Sequence, residues 1–432
     1  MALEDLVRIQ EVVPFLCTFK ITNYTKELPI DSYLKLGGPT LSKTINIDGV
    51  IFTHNLLSIT GAITPQPILY KNNLYMLLGE IYNYDKKYPS DIYSVIYNYE
   101  LYGYKFTDYL DGEFLIIVYN LEKGCIYFFT DPWSTQMVWY STFENYFYFS
   151  TFPLNNDSFR LSSNSHYVYD TKNNTFKHKN YSLYTWDLNQ YKDTYDDWDE
   201  AFKEAVSKRY HKTDNILALS GGLDSSCIAL CLSDLKKPFE SICLDLYNLE
   251  DTITLNSVLA YTTTYNKINY ILKDDLVYNE NLIYKFLYDK NLSKYSLNLI
   301  CSEVKNLSKK ILITGQGSDE IIDNYVEKFF YRITDNIIDI STWPEDIRPY
   351  FPYGHFYTGL QRDYIDKHSY VALSYGIELR NPFLDKKLAQ EWLNISPELK
   401  NKERKGPLKN FLRMRGIPLP TKMVGLSSHN IK

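Results

Sequence analysis

The sequence contains no CxxC pair, and its six cysteines (Cys17, Cys125, Cys227, Cys231, Cys243, Cys301) are scattered. A chain of this length needs no covalent staples, so neither a disulfide framework nor a cysteine-based zinc site is expected, and the thiols read as reduced and cytoplasmic. No window approaches the roughly eighteen consecutive apolar residues that a bilayer span requires, so no membrane partner is expected. The opening MALEDLVRIQEVVPFLC carries acids where a secretory signal carries Lys or Arg, so no leader is read there. Nor is there an excess of positive charge: 46 Lys and Arg face 52 Asp and Glu, a net charge of -6. A large nucleic-acid footprint needs clustered cations, so nucleic acid is not an expected partner.

What is present describes an ordinary globular protein: 432 residues, 45% hydrophobic and 23% charged, enough for two or three domains. Tyr is abundant at 41, alongside much Asn, Ile and Lys, a bias that reads as AT-rich coding rather than an aromatic binding surface. Up to about residue 185 the pattern is short, alternating and aromatic. Asn73 to Leu78, Glu113 to Tyr119, Gly124 to Thr130 and Asn145 to Thr151 read as strands between Asn and Gly turns. From residue 186 onward, expected helices over Trp198 to Tyr210, Ser225 to Ser233, Thr254 to Thr264 and Leu297 to Ser308 alternate with strands Ile216 to Leu219, Ser241 to Leu244 and Ile311 to Ile313. Alternation of this kind predicts βαβ units on a parallel sheet. The charged segment Asp187 to Glu200 is the expected domain junction.

The most informative segment is Ile216-Leu-Ala-Leu-Ser-Gly-Gly-Leu-Asp-Ser-Ser226, an apolar strand that runs through two glycines straight into a helix. Gly221 and Gly222 let backbone amides approach a polyphosphate, and the helix N-terminus adds partial positive charge. Ser220, Ser225 and Ser226 offer hydroxyl donors. Asp224 would repel phosphate unless a divalent cation stood between them, which predicts Mg²⁺. The spacing is neither that of the kinase-type P-loop nor that of the GxGxxG dinucleotide fingerprint. Asp319 follows the turn Gly315-Gln-Gly317 at the end of the strand Ile311 to Ile313, at the carboxyl edge where open α/β sheets bind ligands. Asp224 occupies the same edge, so the two carboxylates can share one metal ion.

Ser220-Gly-Gly-Leu-Asp-Ser-Ser226 resembles the signature of the PP-loop ATP pyrophosphatases, which cleave ATP between its α and β phosphates and adenylate a substrate. Within that superfamily the second half resembles the asparagine synthetases and related amide-forming ligases. Thr314-Gly-Gln-Gly-Ser-Asp-Glu320 is similar to their second ATP/Mg²⁺ loop, Gly376-Ile-Glu-Leu-Arg-Asn-Pro-Phe-Leu-Asp385 to their GVEARVPFLD segment, and Lys405-Gly-Pro-Leu-Lys409 to their lysine motif. The resemblance implies ATP contacts at Ala218, Ser220, Gly221, Gly222, Leu223, Asp224, Ser225, Ser226, Leu244, Thr314 and Gly315, and Mg²⁺ at Asp224 and Asp319. It makes Lys405 the cation that neutralises charge as the α-phosphate is attacked, with Lys409 a rival at the same Lys-x-x-Leu-Arg spacing. Arg380 and Asp385 read as structural, supporting the Pro382 turn. One departure matters: where the family carries a Glu that would serve as general base, this chain has Gln316, and an amide cannot take a proton. Either Glu320 or Glu378 supplies the base, or the nitrogen arrives neutral.

The first half resembles the family's class II glutamine amidotransferase domain, of the N-terminal-nucleophile αββα type. Gly38-Pro39, His54-Asn-Leu-Leu-Ser-Ile59, Gln66-Pro67, Gly79-Glu-Ile-Tyr-Asn83, Leu110-Asp-Gly-Glu-Phe114 and Thr130-Asp-Pro-Trp133 carry the likeness. That chemistry needs an N-terminal Cys, and residue 2 is Ala. The Arg expected to hold the glutamine carboxylate falls on Leu56, and the oxyanion-hole Asn on Leu78. Phe15-Leu-Cys17-Thr-Phe resembles the family's opening strand, so a chain starting at Cys17 would present a thiol, yet Leu56 and Leu78 would remain. The expectation is therefore a two-domain protein: residues 1–185 an inactive glutaminase-like α+β domain, residues 186–432 a PP-loop domain with a doubly wound parallel sheet. It would be an ATP- and Mg²⁺-dependent ligase acting on a small-molecule or peptide carboxylate with ammonia or an amine, its first domain a retained scaffold that shapes the channel face, recognises a partner or dimerises. The alternatives are a PP-loop enzyme acting on a deazapurine or nucleotide precursor, which would carry a cysteine cluster absent here, and an inactive nucleotide-binding regulator.

Overall fold

The computed structural model describes residues 17–36, 38, 40–59, 61–245, 252–272, 283, 287, 295–323, 329–333, 336–340 and 342–420. Ala2, Phe15, Leu16 and Pro39, all used above, lie outside them. Two compact units emerge. One holds Met1–Tyr184, Leu282–Lys290 and Ala372–Glu378, and the other holds the rest. The main division falls between Tyr184 and Thr185, and Ala372–Glu378 groups with the first unit.

The first unit is built on two six-stranded antiparallel sheets. One orders β1 (Thr18–Thr22), β2 (Leu41–Ile47), β3 (Val50–Leu56), β8 (Trp139–Phe143), β9 (Tyr146–Ser150) and β10 (Phe159–Arg160) as β10-β8-β9-β1-β3-β2. The other orders β4 (Ile68–Tyr70), β5 (Asn73–Ile81), β6 (Gly112–Asn120), β7 (Cys125–Thr130), β11 (Ser165–Asp170) and β12 (Thr175–Ser182) as β12-β11-β7-β6-β5-β4. Strand alternation explains their packing. Phe19, Phe52, Leu74, Met76, Leu115, Ile117 and Phe149 fill the space between the sheets. The opposite parity of β5 and β6, Tyr75, Leu77, Phe114 and Ile116, packs with Ile92, Val95 and Ile96 of helix α2 (Asp91–Tyr102). With both faces covered, β5 and β6 read as continuous apolar runs. On the outer face of the first sheet, helix α1 (Pro29–Leu36) is tied down by Thr18 Oγ1 donating to Leu34 O at 2.6 Å and Tyr148 OH donating to Asp31 at 2.8 Å.

The second unit has a five-stranded sheet in the order β15-β14-β13-β16-β19, from β13 (Asn215–Ala218), β14 (Phe239–Asp245), β15 (Asn266–Leu272), β16 (Ile311–Ile313) and β19 (Glu378–Arg380). A separate antiparallel hairpin joins β17 (Phe329–Ile333) and β18 (Asn336–Ile340). β14 and β16 both pair with β13 in parallel, and β15 pairs in parallel with β14. The chain runs outward from β13 through β14 to β15 and then crosses to β16 on the other side of β13. Right-handed crossovers in opposite directions put their helices on opposite faces and open a crevice at the carboxyl ends of β13 and β16.

The helices after residue 185 include α3 (Asp196–Arg209), α4 (Leu223–Asp234), α5 (Thr252–Thr262), α6 (Ser296–Asn306), α7 (Leu360–Leu373), α8 (Lys386–Asn394), α9 (Pro397–Lys402) and α10 (Gly406–Arg413). Phe202 of α3 stacks on Trp198 and Phe383 and meets Phe411 of α10 edge-on, each at 5.3 Å between centroids. Pairs of this kind contribute about 0.5–1.5 kcal/mol each beyond their buried area. They fix α10, which begins one residue after Lys405, against α3. The segment Asp187 to Glu200, the expected junction, follows the division at Tyr184 and packs on the second unit: Tyr195 and Trp198 are buried, and Asn394 donates to Asp187 O and Asn189 O. Among the described residues no helix is long and apolar enough to cross a membrane.

Candidate active site

β13 ends at Ala218, and the chain turns through Gly221 at φ +81°, a left-handed conformation that glycine adopts without a Cβ penalty. Gly222 caps α4, so the first-turn amides of that helix have no intrahelical partners. The loop is braced from within. Ser220 N donates to Ser225 Oγ at 3.1 Å, the two hydroxyls are 3.1 Å apart, and Gly222 N donates to Ser220 Oγ at 3.3 Å. The second loop leaves β16 at Thr314, whose N–H donates to Arg380 O at 3.1 Å and whose hydroxyl pairs with Asn381 Oδ1 at 2.8 Å. A Cβ on Gly315 would lie 2.7 Å from Asp224 Cβ, and one on Gly317 would lie 2.3 Å from Leu384 Cδ2. The glycines therefore let the two loops touch and let the second loop sit on the Pro382–Leu384 turn.

Lys405 links both loops. Its Nζ donates to Asp224 Oδ1 and Oδ2 at 2.8 and 2.9 Å and lies 2.7 Å from Asp319 Oδ1. The lysine side chain is 2% exposed, the two carboxylates 22% and 23%, so the acids open to solvent while their counter-ion is enclosed. Burial alone would strip the Lys405 proton, but Asp224 and Asp319 outweigh it and hold the ammonium charged. Lys405 reaches this place from φ +53°, an uncommon conformation for a residue with a side chain. The next residue, Gly406, packs so closely on Tyr195 that a Cβ would come 2.1 Å from its hydroxyl. Lys409, the sequence rival, faces Glu403 at 3.7 Å instead.

The structure brings Ser220, Gly221, Gly222, Asp224, Ser225, Gly315, Asp319 and Lys405 together. It corrects others. Ser226 is fully enclosed with an unpartnered hydroxyl, and the Thr314 hydroxyl is spent on Asn381, so neither side chain is presented to a ligand. Ala218 and Leu223 are buried and offer backbone only, while Leu244 lies on β14 beside β13. Glu378 groups with the first unit, not with this cluster. The Gln316 side-chain amide nitrogen is buried without a hydrogen-bond partner. Sequence reasoning missed the environment of Glu320, whose pKa is pushed up to about 8 by burial and then by the adjacent Asp319 charge. Its only signal was adjacency to Asp319.

In the first unit a small cavity of about 40 Å³ is lined by Cys17, Leu56, Gly79, Glu80, Asp91 and Glu378 among others. Cys17 stands one residue before β1, with Leu57 N donating to its sulfur at 3.3 Å. Leu78 is absent from the lining, because its side chain fills the core between the sheets.

Residues 197–350 match the asparagine synthase family model. Glutamine-hydrolysing asparagine synthetases of Asparagus officinalis and Lotus japonicus are 26% and 25% identical to this chain, over 86% and 90% of its length and 67% and 70% of their own. These likenesses support the asparagine synthetase family for this chain. Its members are ATP-dependent amide-forming ligases. Against one solved structure, glutamine phosphoribosylpyrophosphate amidotransferase from B. subtilis, the TM-score is 0.29 at 8% identity over 73% of each chain, too slight to carry an argument.

Against the family's glutaminase pattern, the cavity shows Leu56 where the carboxylate-binding Arg is expected. The Cys17 thiol is pushed up to about 12, mainly by burial. At pH 7.5 its thiolate fraction is then on the order of 10⁻⁴ or less, and the thiolate is the reactive form. The intact folded chain is expected to release no glutamate from glutamine, and Cys17 to resist iodoacetamide until urea unfolds the protein. Peptide mapping of alkylated cysteines checks the second point. Rapid Cys17 labelling in the native state, or glutamate release abolished by Cys17→Ala, would restore a working glutaminase.

Proposed function

We propose that this protein is an ATP- and Mg²⁺-dependent ligase that adenylates a carboxylate and transfers ammonia or an amine to it. The observation that carries this reading is the meeting of Lys405 with Asp224 and Asp319 at the carboxyl edge of β13 and β16. The two partly open carboxylates fit a divalent ion, which keeps waters and phosphate oxygens in its remaining positions. When bound, Mg²⁺ would neutralise the pyrophosphate.

The chain's own groups supply the rest. The Gly221-Gly222 turn and the α4 amides receive phosphate oxygens, and Lys405 stabilises charge on the α-phosphorus as a substrate carboxylate oxygen attacks and pyrophosphate leaves. Nitrogen then attacks the acyl carbon, AMP departs, and the amine gives its proton to solvent or a nearby base. Gln316 cannot be that base. Its buried, unpartnered amide nitrogen is a donor, so we assign it to an oxygen of the substrate carboxyl group. The first unit we read as a glutaminase-like domain retained without hydrolysis, so the nitrogen is free ammonia, a separate amine or an amine within the substrate.

Incubation with MgATP, hydroxylamine and a panel of carboxylates beginning with aspartate tests the reading. A hydroxamate formed with equimolar AMP and pyrophosphate, and abolished in Asp224→Ala, is the expected result. Mg²⁺-dependent nucleotide affinity and turnover unchanged in Asp224→Ala would sink the pyrophosphate-loop assignment.

A further inference from the structure

The two carboxylates assigned to a divalent cation are closed on a lysine. Nζ of Lys405 lies within 2.9 Å of both Asp224 oxygens and 2.7 Å from Asp319 Oδ1, so it stands between the groups a metal ion would bridge. The lysine cannot simply swing into water, because it starts from a positive φ, its side chain is enclosed and Gly406 is wedged against Tyr195. A buried ammonium stripped of its carboxylates is strongly unfavourable. A free divalent ion entering alone would take those carboxylates, leave Lys405 uncompensated and place a dication beside it. Nucleotide entering without metal would set its phosphates against Asp224 and Asp319. Metal and polyphosphate together would give each of these groups a partner of opposite sign, the ion going to the aspartates and the lysine to a phosphate oxygen.

From this we infer that Lys405 is the resident counter-ion of Asp224 and Asp319 and excludes free divalent cations, so that metal and nucleotide bind as one complex. The inference rests on the functional reading above and adds a binding rule to it. By linkage, each ligand raises the other's affinity by the same factor.

Mn²⁺ alone is the probe, with electron paramagnetic resonance counting the free ion. Nucleotide-free wild-type protein should leave Mn²⁺ unbound at concentrations where the protein with α,β-methylene-ATP takes up one equivalent. Lys405→Met should bind Mn²⁺ without nucleotide at least about tenfold more tightly than wild type, within the usual range of such couplings. Adding Asp224→Asn should abolish that gain, and Lys405→Arg should still exclude the ion. Wild-type protein binding Mn²⁺ equally well with and without the analogue, through a site lost in Asp224→Asn, would overturn the inference alone and does not depend on the lysine variants folding. A gain under twofold in Lys405→Met would overturn it as well. No Mn²⁺ uptake even with the analogue would remove the two-carboxylate metal reading and this inference together.

Discussion

Replacing Lys405 by Ala lowers turnover by more than about a hundredfold and leaves MgATP binding within a few-fold of wild type. A charge aimed at the developing negative charge of a transition state contributes about 3–4 kcal/mol there and much less in the ground state. Lys405 has the required enclosure, with an ammonium 2% exposed and held charged by two carboxylates. Lys409→Ala provides the contrast. Its ammonium is about a quarter exposed and 3.7 Å from Glu403, so its loss should change turnover less than about twofold, in line with an exposed pair worth 0–1 kcal/mol. Single-turnover AMP formation with nucleotide titration in parallel separates chemistry from binding. A hundredfold loss in Lys409→Ala with none in Lys405→Ala would reverse the assignment.

Asp385→Ala should destabilise the second unit by about 3–5 kcal/mol, the cost of breaking a buried ion pair from one side. Asp385 is enclosed, accepts from Arg209 at 2.9 Å and Lys208 at 3.1 Å, and caps α8 through Lys387 N and Leu388 N. Its removal leaves the buried Arg209 guanidinium without that carboxylate and two helix amides uncapped. Asp385→Asn should recover only the cap, about 1 kcal/mol. The pH dependence has a definite sign. Burial works against the Asp385 charge, but Arg209 and Lys208 outweigh it and hold the carboxyl below its usual range. A depressed folded-state pKa stabilises above the unfolded value, and that stability is lost as pH falls. The gap between wild type and Asp385→Ala, read by urea unfolding, should therefore be full at pH 6 to 7 and shrink below about pH 4. A gap under 1 kcal/mol at neutral pH would show that the pair is dispensable. Activity should fall too, because Leu384 beside Asp385 packs on Gly317 and so holds the loop that carries Asp319.

Much of this architecture was legible before any coordinates. The runs at Asn73, Glu113 and Ile311 became β5, β6 and β16 because short apolar runs rich in β-branched or aromatic residues and bounded by turn residues are local signals. Helix α2 was not read in the aromatic segment Asp91–Tyr102, where exposed Tyr93 and Tyr97 mask the spacing of Ile92, Val95 and Ile96. Ser226 and Thr314 were legible as loop hydroxyls but not as enclosed ones, since a hydroxyl's direction depends on the neighbours that the fold supplies.

By itself the sequence determined that strand, double glycine and helix meet at Ser220 to Ser226 and that Asp224 and Asp319 each follow a glycine turn after an apolar strand, because these are matters of residue chemistry and short-range geometry. The resemblance to the glutaminase pattern added that Leu56 and Leu78 stand where it has a charge and a donor. Only the tertiary structure separated the surroundings of Lys405 and Lys409, which stand one helical turn apart in the same motif. A positive φ places the first before α10 and aims it at two carboxylates, while the second lies within the helix beside Glu403. Only the fold, too, put Glu378 with Cys17 and paired Arg209 with Asp385, because those partnerships join residues more than 170 positions apart and no local pattern records them.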